Sequence, residues 1–145
     1  MATTAQWVFE KAMHLMDEVS ETAGQADTAD TKDYKNRVLP ILNVLRWECF
    51  PGSDTYAVTE AGKRPVCPEI TDFDSPIALD DAICQGVLPY ALAAHLLSDE
   101  NPALAAWFQQ RYEELLGAMK RAMPAVSQDI VNLQGGIEYG QFSRW

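Results

Sequence analysis

Apolar residues recur every three or four positions through most of this chain, and the interruptions of that recurrence divide it into helices. Val8, Ala12, Leu15, Met16 and Val19 fall on one face of a first helix, capped by Thr3 or Thr4 and running to about residue 20. Residues 21–30 are rich in Thr, Ala, Gly and Asp and read as a loop too polar to enter a core. A second helix begins near Thr31 or Asp33 and reaches Phe50, with Tyr34, Val38, Ile41, Leu42, Leu45 and Cys49 on its stripe and Pro40 inside it. Residues 51–75 hold the breakers Pro51, Gly52, Gly62, Pro65 and Pro68. Only 55–59 and 66–70 could extend there, so the segment reads as a long loop with at most a short hairpin.

The strongest periodicity lies in residues 77–119. Asp80 or Asp81 can cap a third helix, whose Ile83, Val87, Tyr90, Ala91, Ala94 and Leu97 line one face. Leu88, Leu92 and Leu96 fill a second face, so this helix needs cover on two sides, from its own domain or from a neighbouring subunit. Pro89 lacks an N–H and its ring presses on the carbonyl of Gln85, which predicts a kink near Gly86 or a regular helix that starts there. Asn101 and Pro102 form a cap and a first helical position for a fourth helix over 102–123. Its expected stripe is Leu104, Phe108, Leu115 and Met119, with Trp107 and Tyr112 at the edges. Val38-Leu39-Pro40 echoes Val87-Leu88-Pro89, but three residues do not make a repeat.

Pro124 ends the last long helix, and residues 134–145 are short of helix formers. Gly135 and Gly136 precede Ile137, Tyr139, Phe142 and Trp145, four large apolar groups in a stretch that would be sticky if left free. Residues 124–145 therefore read as an arm that docks, either back on its own helices or across to another subunit. The expected architecture is mainly α: a helical domain over 1–123 with four principal helices and a long central loop, followed by the extended C-terminal arm.

Composition narrows the function classes. A 145-residue chain that is 48% hydrophobic can bury one core. Neither an apolar run of about 18 residues nor a secretory signal pattern occurs, so the expectation is a chain that folds in the cytoplasm without a membrane contact. Cys49, Cys67 and Cys84 form an odd set with no Cys-x-x-Cys pair and are expected to be free thiols. The net charge of −10 sets 21 acids against 11 bases, and Glu10, Asp17, Glu18, Glu21, Asp27, Asp30 and Asp33 crowd the first third. Nucleic acid is held by clustered bases that displace phosphate counterions, so a tight nucleic-acid-binding module is not expected.

Candidate chemistry is sparse. Cys84 precedes His95 by 11 positions, which on one straight helix is a rise of about 16 Å, too far for a thiolate and an imidazole to touch. His14 could meet a thiol only through a tertiary contact. Asp72, Asp74, Asp80 and Asp81 could offer carboxylate oxygens to a hard cation, yet their spacing is not that of a calcium loop, and they also suit turns and caps. No phosphate-binding Gly loop or Gly-x-Ser-x-Gly elbow occurs. No catalytic residue, cofactor or metal ligand is assigned.

Several segments in fixed order carry a resemblance. Leu42-Asn43-Val44-Leu45-Arg46-Trp47-Glu48-Cys49-Phe50-Pro51-Gly52-Ser53-Asp54-Thr55-Tyr56 is succeeded by Gly62-Lys63-Arg64-Pro65-Val66 and by the acidic pair Asp80-Asp81. Then come Val87-Leu88-Pro89-Tyr90-Ala91-Leu92-Ala93-Ala94-His95-Leu96-Leu97, the Asp99-Glu100-Asn101-Pro102 turn and Tyr112-Glu113-Glu114-Leu115. Over residues 34–120 this order resembles the head-to-tail connector (adaptor) proteins of tailed phages and prophages. The resemblance implies a structural virion protein made in the bacterial host cytoplasm, with no reaction to catalyse. It implies a ring of about a dozen copies between the portal protein and a tail or head-completion protein. DNA would pass through the ring without specific binding; the excess of acids reads either as a solubilising surface or, on this resemblance, as a channel wall that repels phosphate. Interface candidates are Trp107, Arg111 and Tyr112 on the last helix, and Ile137, Tyr139, Phe142 and Trp145 on the arm. A neck or tail-completion protein of the same particle is the alternative within assembly. A small helical enzyme using Cys84 or Cys49 is the alternative outside it.

Overall fold

The computed structural model describes residues 2–21, 24–56 and 62–122. It contains α1 (Ala5–Leu15), α2 (Lys32–Cys49), α3 (Asp81–Gly86), α4 (Leu88–Leu97) and α5 (Pro102–Arg121), with a 3₁₀ turn at Phe50–Gly52 continuing α2. The mainly α expectation holds, with five helices among the described residues in place of four. No strand forms among the described residues. Residues 66–70 are unpaired in any ladder, 57–61 lie outside the described part of the expected hairpin, and a lone antiparallel bridge joins Thr4 to Pro76.

Local chemistry sets the helix ends. The Thr4 side chain accepts from the Trp7 N–H, Asp80 from the Ile83 N–H at 3.0 Å and Asn101 from the Leu104 N–H, each satisfying a donor that the first turn leaves free. α1 stops at Leu15, short of residue 20, because Asp17 takes the left-handed conformation (φ 60°). Asp17 N–H then donates to the His14 carbonyl and Glu18 N–H to the Met13 carbonyl, the bond pair of a Schellman motif. Asp80 does more than cap α3: its second carboxylate oxygen accepts from the Asp54 N–H at 3.2 Å, tying the turn after α2 to the start of α3. Asp80→Ala should therefore cost about 1–2 kcal/mol in denaturant unfolding, with Asp80→Asn recovering most of it. Equal stability of the two variants would show that the cap is not formed.

The third expected helix is two. Val87, at φ −120° and ψ −49°, breaks the run between α3 and α4, and Pro89 becomes the second residue of α4, where a missing N–H leaves no ladder bond unmade. Pro40 sits inside α2, which runs on through it.

α4 is the central element. Leu88, Ala91, Leu92, Ala93 and Leu96 are fully buried, and α1, α2, α3 and α5 all pack against this helix. Both of its apolar faces are thus covered within one chain. Its hydrophobicity gives no argument for a neighbouring subunit, because the cover that it needs is intramolecular.

The stripe of α5 is turned from the expected one. Ala105, Phe108, Tyr112 and Leu116 are its buried residues, while Leu104, Leu115 and Met119 flank them half-buried. On α2 the buried set of Tyr34, Val38, Leu42, Leu45 and Cys49 matches the expected stripe, with Arg46 added and Ile41 only half-buried. Asn43 clamps the central loop to this helix: its Nδ2 donates to the Ile70 carbonyl at 3.0 Å and its Oδ1 accepts from the Ile70 N–H at 2.8 Å. Among the described residues no helix is long and apolar enough to cross a membrane.

Candidate interaction surface

Among the described residues, large apolar groups are left uncovered on the outer face of α2, as they also are at Val66 in the central loop and at Trp107 on α5. Val44 and Trp47 lie three residues apart, hence side by side on a helix, and stand away from the buried stripe at 59% and 51% exposure. Trp47 meets the buried Phe50 ring edge-on at 6.1 Å, and Phe50 meets Tyr56 edge-on at 5.1 Å, so the aromatic face continues from the helix across the 3₁₀ turn. Phe50 is buried beneath it and anchors both outer rings. Such a face is firm on its inner side and open on its outer side, the arrangement in which an aromatic side chain can anchor a partner. The interface expected from the sequence did not include it. Its one signal there is that Val44 and Trp47 are apolar yet fall off the stripe formed by Val38, Leu42, Leu45 and Cys49.

The residues expected at the edge of the last helix part company. Trp107 is half exposed, its ring edge-on to Phe108 at 5.1 Å, and Arg111 is exposed with a loose 3.5 Å contact to Glu114. Tyr112 does not share that edge, because it is 3% exposed at the centre of the buried stripe. Its hydroxyl donates to Glu48 Oε2 at 2.9 Å and lies 3.7 Å from Cys49 Sγ. Burial, with Cys49 and Glu48 adjacent, pushes the phenol far above its usual range. Tyr112 thus joins α5 to α2 and offers no outer surface. Ile137, Tyr139, Phe142 and Trp145 lie outside the described residues.

The thiols are buried and free. Burial pushes Cys49 up to about 11 and Cys84 up to about 12, the latter aided by Asp80 and Asp81; it also raises Cys67, against the opposing pull of Arg46. The unreactive protonated form therefore dominates at neutral pH. Cys84 Sγ points at the Leu79 carbonyl at 3.6 Å, and His14 and His95 are exposed, so among the described residues no imidazole is hydrogen-bonded to a thiol. Alkylation at pH 8 should depend on opening of the fold, accelerating on the order of 100-fold when denaturant is added. A thiol that reacts in native buffer as fast as a free cysteine would contradict this burial.

Three of the four carboxylates expected as hard-cation candidates, Asp72, Asp80 and Asp81, are taken up by hydrogen bonds. Asp72 accepts from the Ser75 hydroxyl at 2.8 Å, the Ser75 N–H at 2.7 Å and the Asp74 N–H at 3.0 Å, which together hold it below the usual carboxylate range. Asp81 accepts from the Thr3 hydroxyl at 2.8 Å and the Thr3 N–H at 3.2 Å. Among the described residues no three metal-ligating side chains converge. The acids of the first third, apart from half-buried Glu10, are exposed, most of them along the connection from α1 to α2, where Asp27 pairs with Lys35 at 2.5 Å.

No family model, no curated protein and no solved structure matches this chain.

Proposed function

We propose that this chain is a structural virion protein, a head-to-tail connector (adaptor) subunit that acts by assembly. The observation that carries the reading is the exposed aromatic face of Val44, Trp47 and Tyr56, because it falls within the 42–56 segment that contributes to the resemblance. A rigid helix presenting a tryptophan above a buried phenylalanine suits a site where another protein surface closes. Trp107 offers a second exposed aromatic on α5.

In this reading copies of the chain form a ring of about a dozen between the portal protein and a tail or head-completion protein. The exposed acids along the α1–α2 connection suit a channel wall that repels phosphate, so that DNA passes without being held. The protein is made in the bacterial host cytoplasm and works in the neck of the virion.

Sedimentation velocity of the full chain, alone and with the purified portal protein of the same genome, tests the proposal. The expected result is a ring, or a monomer that loads onto the portal in a fixed ratio. A chain that stays monomeric alone and leaves the portal unchanged at micromolar concentrations would refute it.

A further inference from the structure

We propose that the aromatic face of α2 receives residues 137–145 of a second copy of this chain, so that successive copies are linked arm to face; this rests on the connector reading above. The first observation is the place where the chain leaves the described fold. A Cβ added to Gly52 would lie 2.8 Å from Lys120 Cγ, and Met119 and Ala122 line the same cavity as Gly52 and Asp54. The end of α5 therefore abuts the turn that carries Phe50 and leads to Tyr56.

The second observation is the length and content of the chain beyond α5. From Ala122 the sequence continues to residue 145, a difference of 23; residues 123–136 carry the aliphatic Met123, Val126, Ile130, Val131 and Leu133, and the aromatic groups Tyr139, Phe142 and Trp145 come only after them. Those intervening residues can span about 45–50 Å when extended, more than the ~30 Å breadth of a small domain. That reach far exceeds what a face beside the segment's own helix end requires. It is sufficient to cross to the equivalent face of a neighbour.

Chemistry selects the same pairing. Tyr139, Phe142 and Trp145 can meet Trp47 and Tyr56 edge-on, and Val44 extends the apolar floor. The segment carries Glu138 at one end and Arg144 at the other, and Arg144, between Phe142 and Trp145, is opposite in sign to Glu48 and Asp54, which are exposed beside the face. An arm that leaves one copy and seats on the next is a heterologous contact, the kind that closes into a ring when its rotation permits.

Two full-length variants test this by sedimentation velocity: a face variant, Val44→Asp with Trp47→Asp, and an arm variant, Phe142→Asp with Trp145→Asp. Wild type is expected to self-associate, and each variant alone to weaken that association by at least about 30-fold. Mixed in equal amounts, the two should form a one-to-one pair and stop, because the pair's remaining arm and remaining face are both damaged. Circular dichroism checks that the helices persist, and Trp47→Ser replaces the face variant if they do not. Ring formation by either variant at wild-type strength overturns the arm-to-face link while leaving the connector reading intact. Failure of the mixture to pair overturns it also, since it means that arm and face do not meet between copies. A wild-type chain that never self-associates but binds the portal removes this inference alone. One that does neither removes both.

Discussion

Phe108→Ala is expected to destabilise the protein by about 3–5 kcal/mol, the range for removing a large aromatic side chain from a core that only partly collapses around the gap. Phe108 is one of the largest buried side chains, sits at the middle of the α5 stripe and touches the rings of Tyr90 on α4 and Trp107 on its own helix. Its removal opens the seam between α4 and α5, and α4 is the helix on which every other helix packs. A domain of this size has a total stability of about 5–15 kcal/mol, so the variant should lie near the threshold of unfolding at growth temperature. Urea denaturation monitored by far-ultraviolet circular dichroism measures the loss. Trp107→Ala, which truncates the exposed neighbour, should cost no more than about 1 kcal/mol. If both substitutions cost the same small amount, α5 is not sealed against α4 in the manner described.

Asn43→Ala is expected to cost about 2–3 kcal/mol, although the side chain is small and only half-buried. The reason is the number of groups that depend on it. Asn43 Oδ1 accepts from the Ile70 N–H at 2.8 Å and from Arg46 Nη2 at 2.9 Å, while its Nδ2 donates to the Ile70 carbonyl at 3.0 Å. Alanine orphans a backbone donor and a backbone acceptor, and it withdraws an acceptor from a guanidinium that is 1% exposed and whose Nε already has no hydrogen-bond partner. A buried cation that loses a partner costs more than one replaced altogether by an apolar chain of similar volume. Arg46→Met should therefore be tolerated better in the Asn43→Ala background than in wild type, with a coupling of about 1 kcal/mol or more in a double-mutant cycle. Strict additivity would mean that the Asn43 side chain does not support Arg46.

Much of the secondary structure was legible because its determinants are local. Thr4, Asp80 and Asn101 are caps by virtue of side-chain oxygens that reach an N–H three residues on, and Pro102 opens α5 because a first helical residue needs no donor. The stripe of α2 was legible because Val38, Leu42, Leu45 and Cys49 recur at helical spacing on a helix with one buried side. The break at Val87 was half legible. Pro89 announced a disturbance, but a kinked helix and a fresh start are equally compatible with a proline near the beginning of a regular run.

The interaction surface was less legible, and Tyr112 and Trp47 illustrate why. Both are amphipathic aromatics on helices rich in apolar residues, and either could have been an edge residue by its chemistry alone. Tyr112 is inside because Glu48 and Cys49 of α2 stand opposite and take its hydroxyl; Trp47 is outside because α4 covers the other side of α2. Arg46 is a stronger case, since a charged residue on a helix is ordinarily solvated, and only the neighbourhood of Asn43 and the central loop gives this one an interior position.

The sequence by itself determined that this chain is mainly helical, where most of its helices begin, that its charge is strongly negative and that its thiols form no pattern for a disulfide framework. Those properties reside in single residues, short spacings and sums. The tertiary structure alone decided that α4 is enclosed by its own chain, that Tyr112 and Arg46 are interior and that Val44 and Trp47 face outward. Burial is a relation between segments far apart in sequence, and periodicity identifies an apolar face without specifying what comes to cover it.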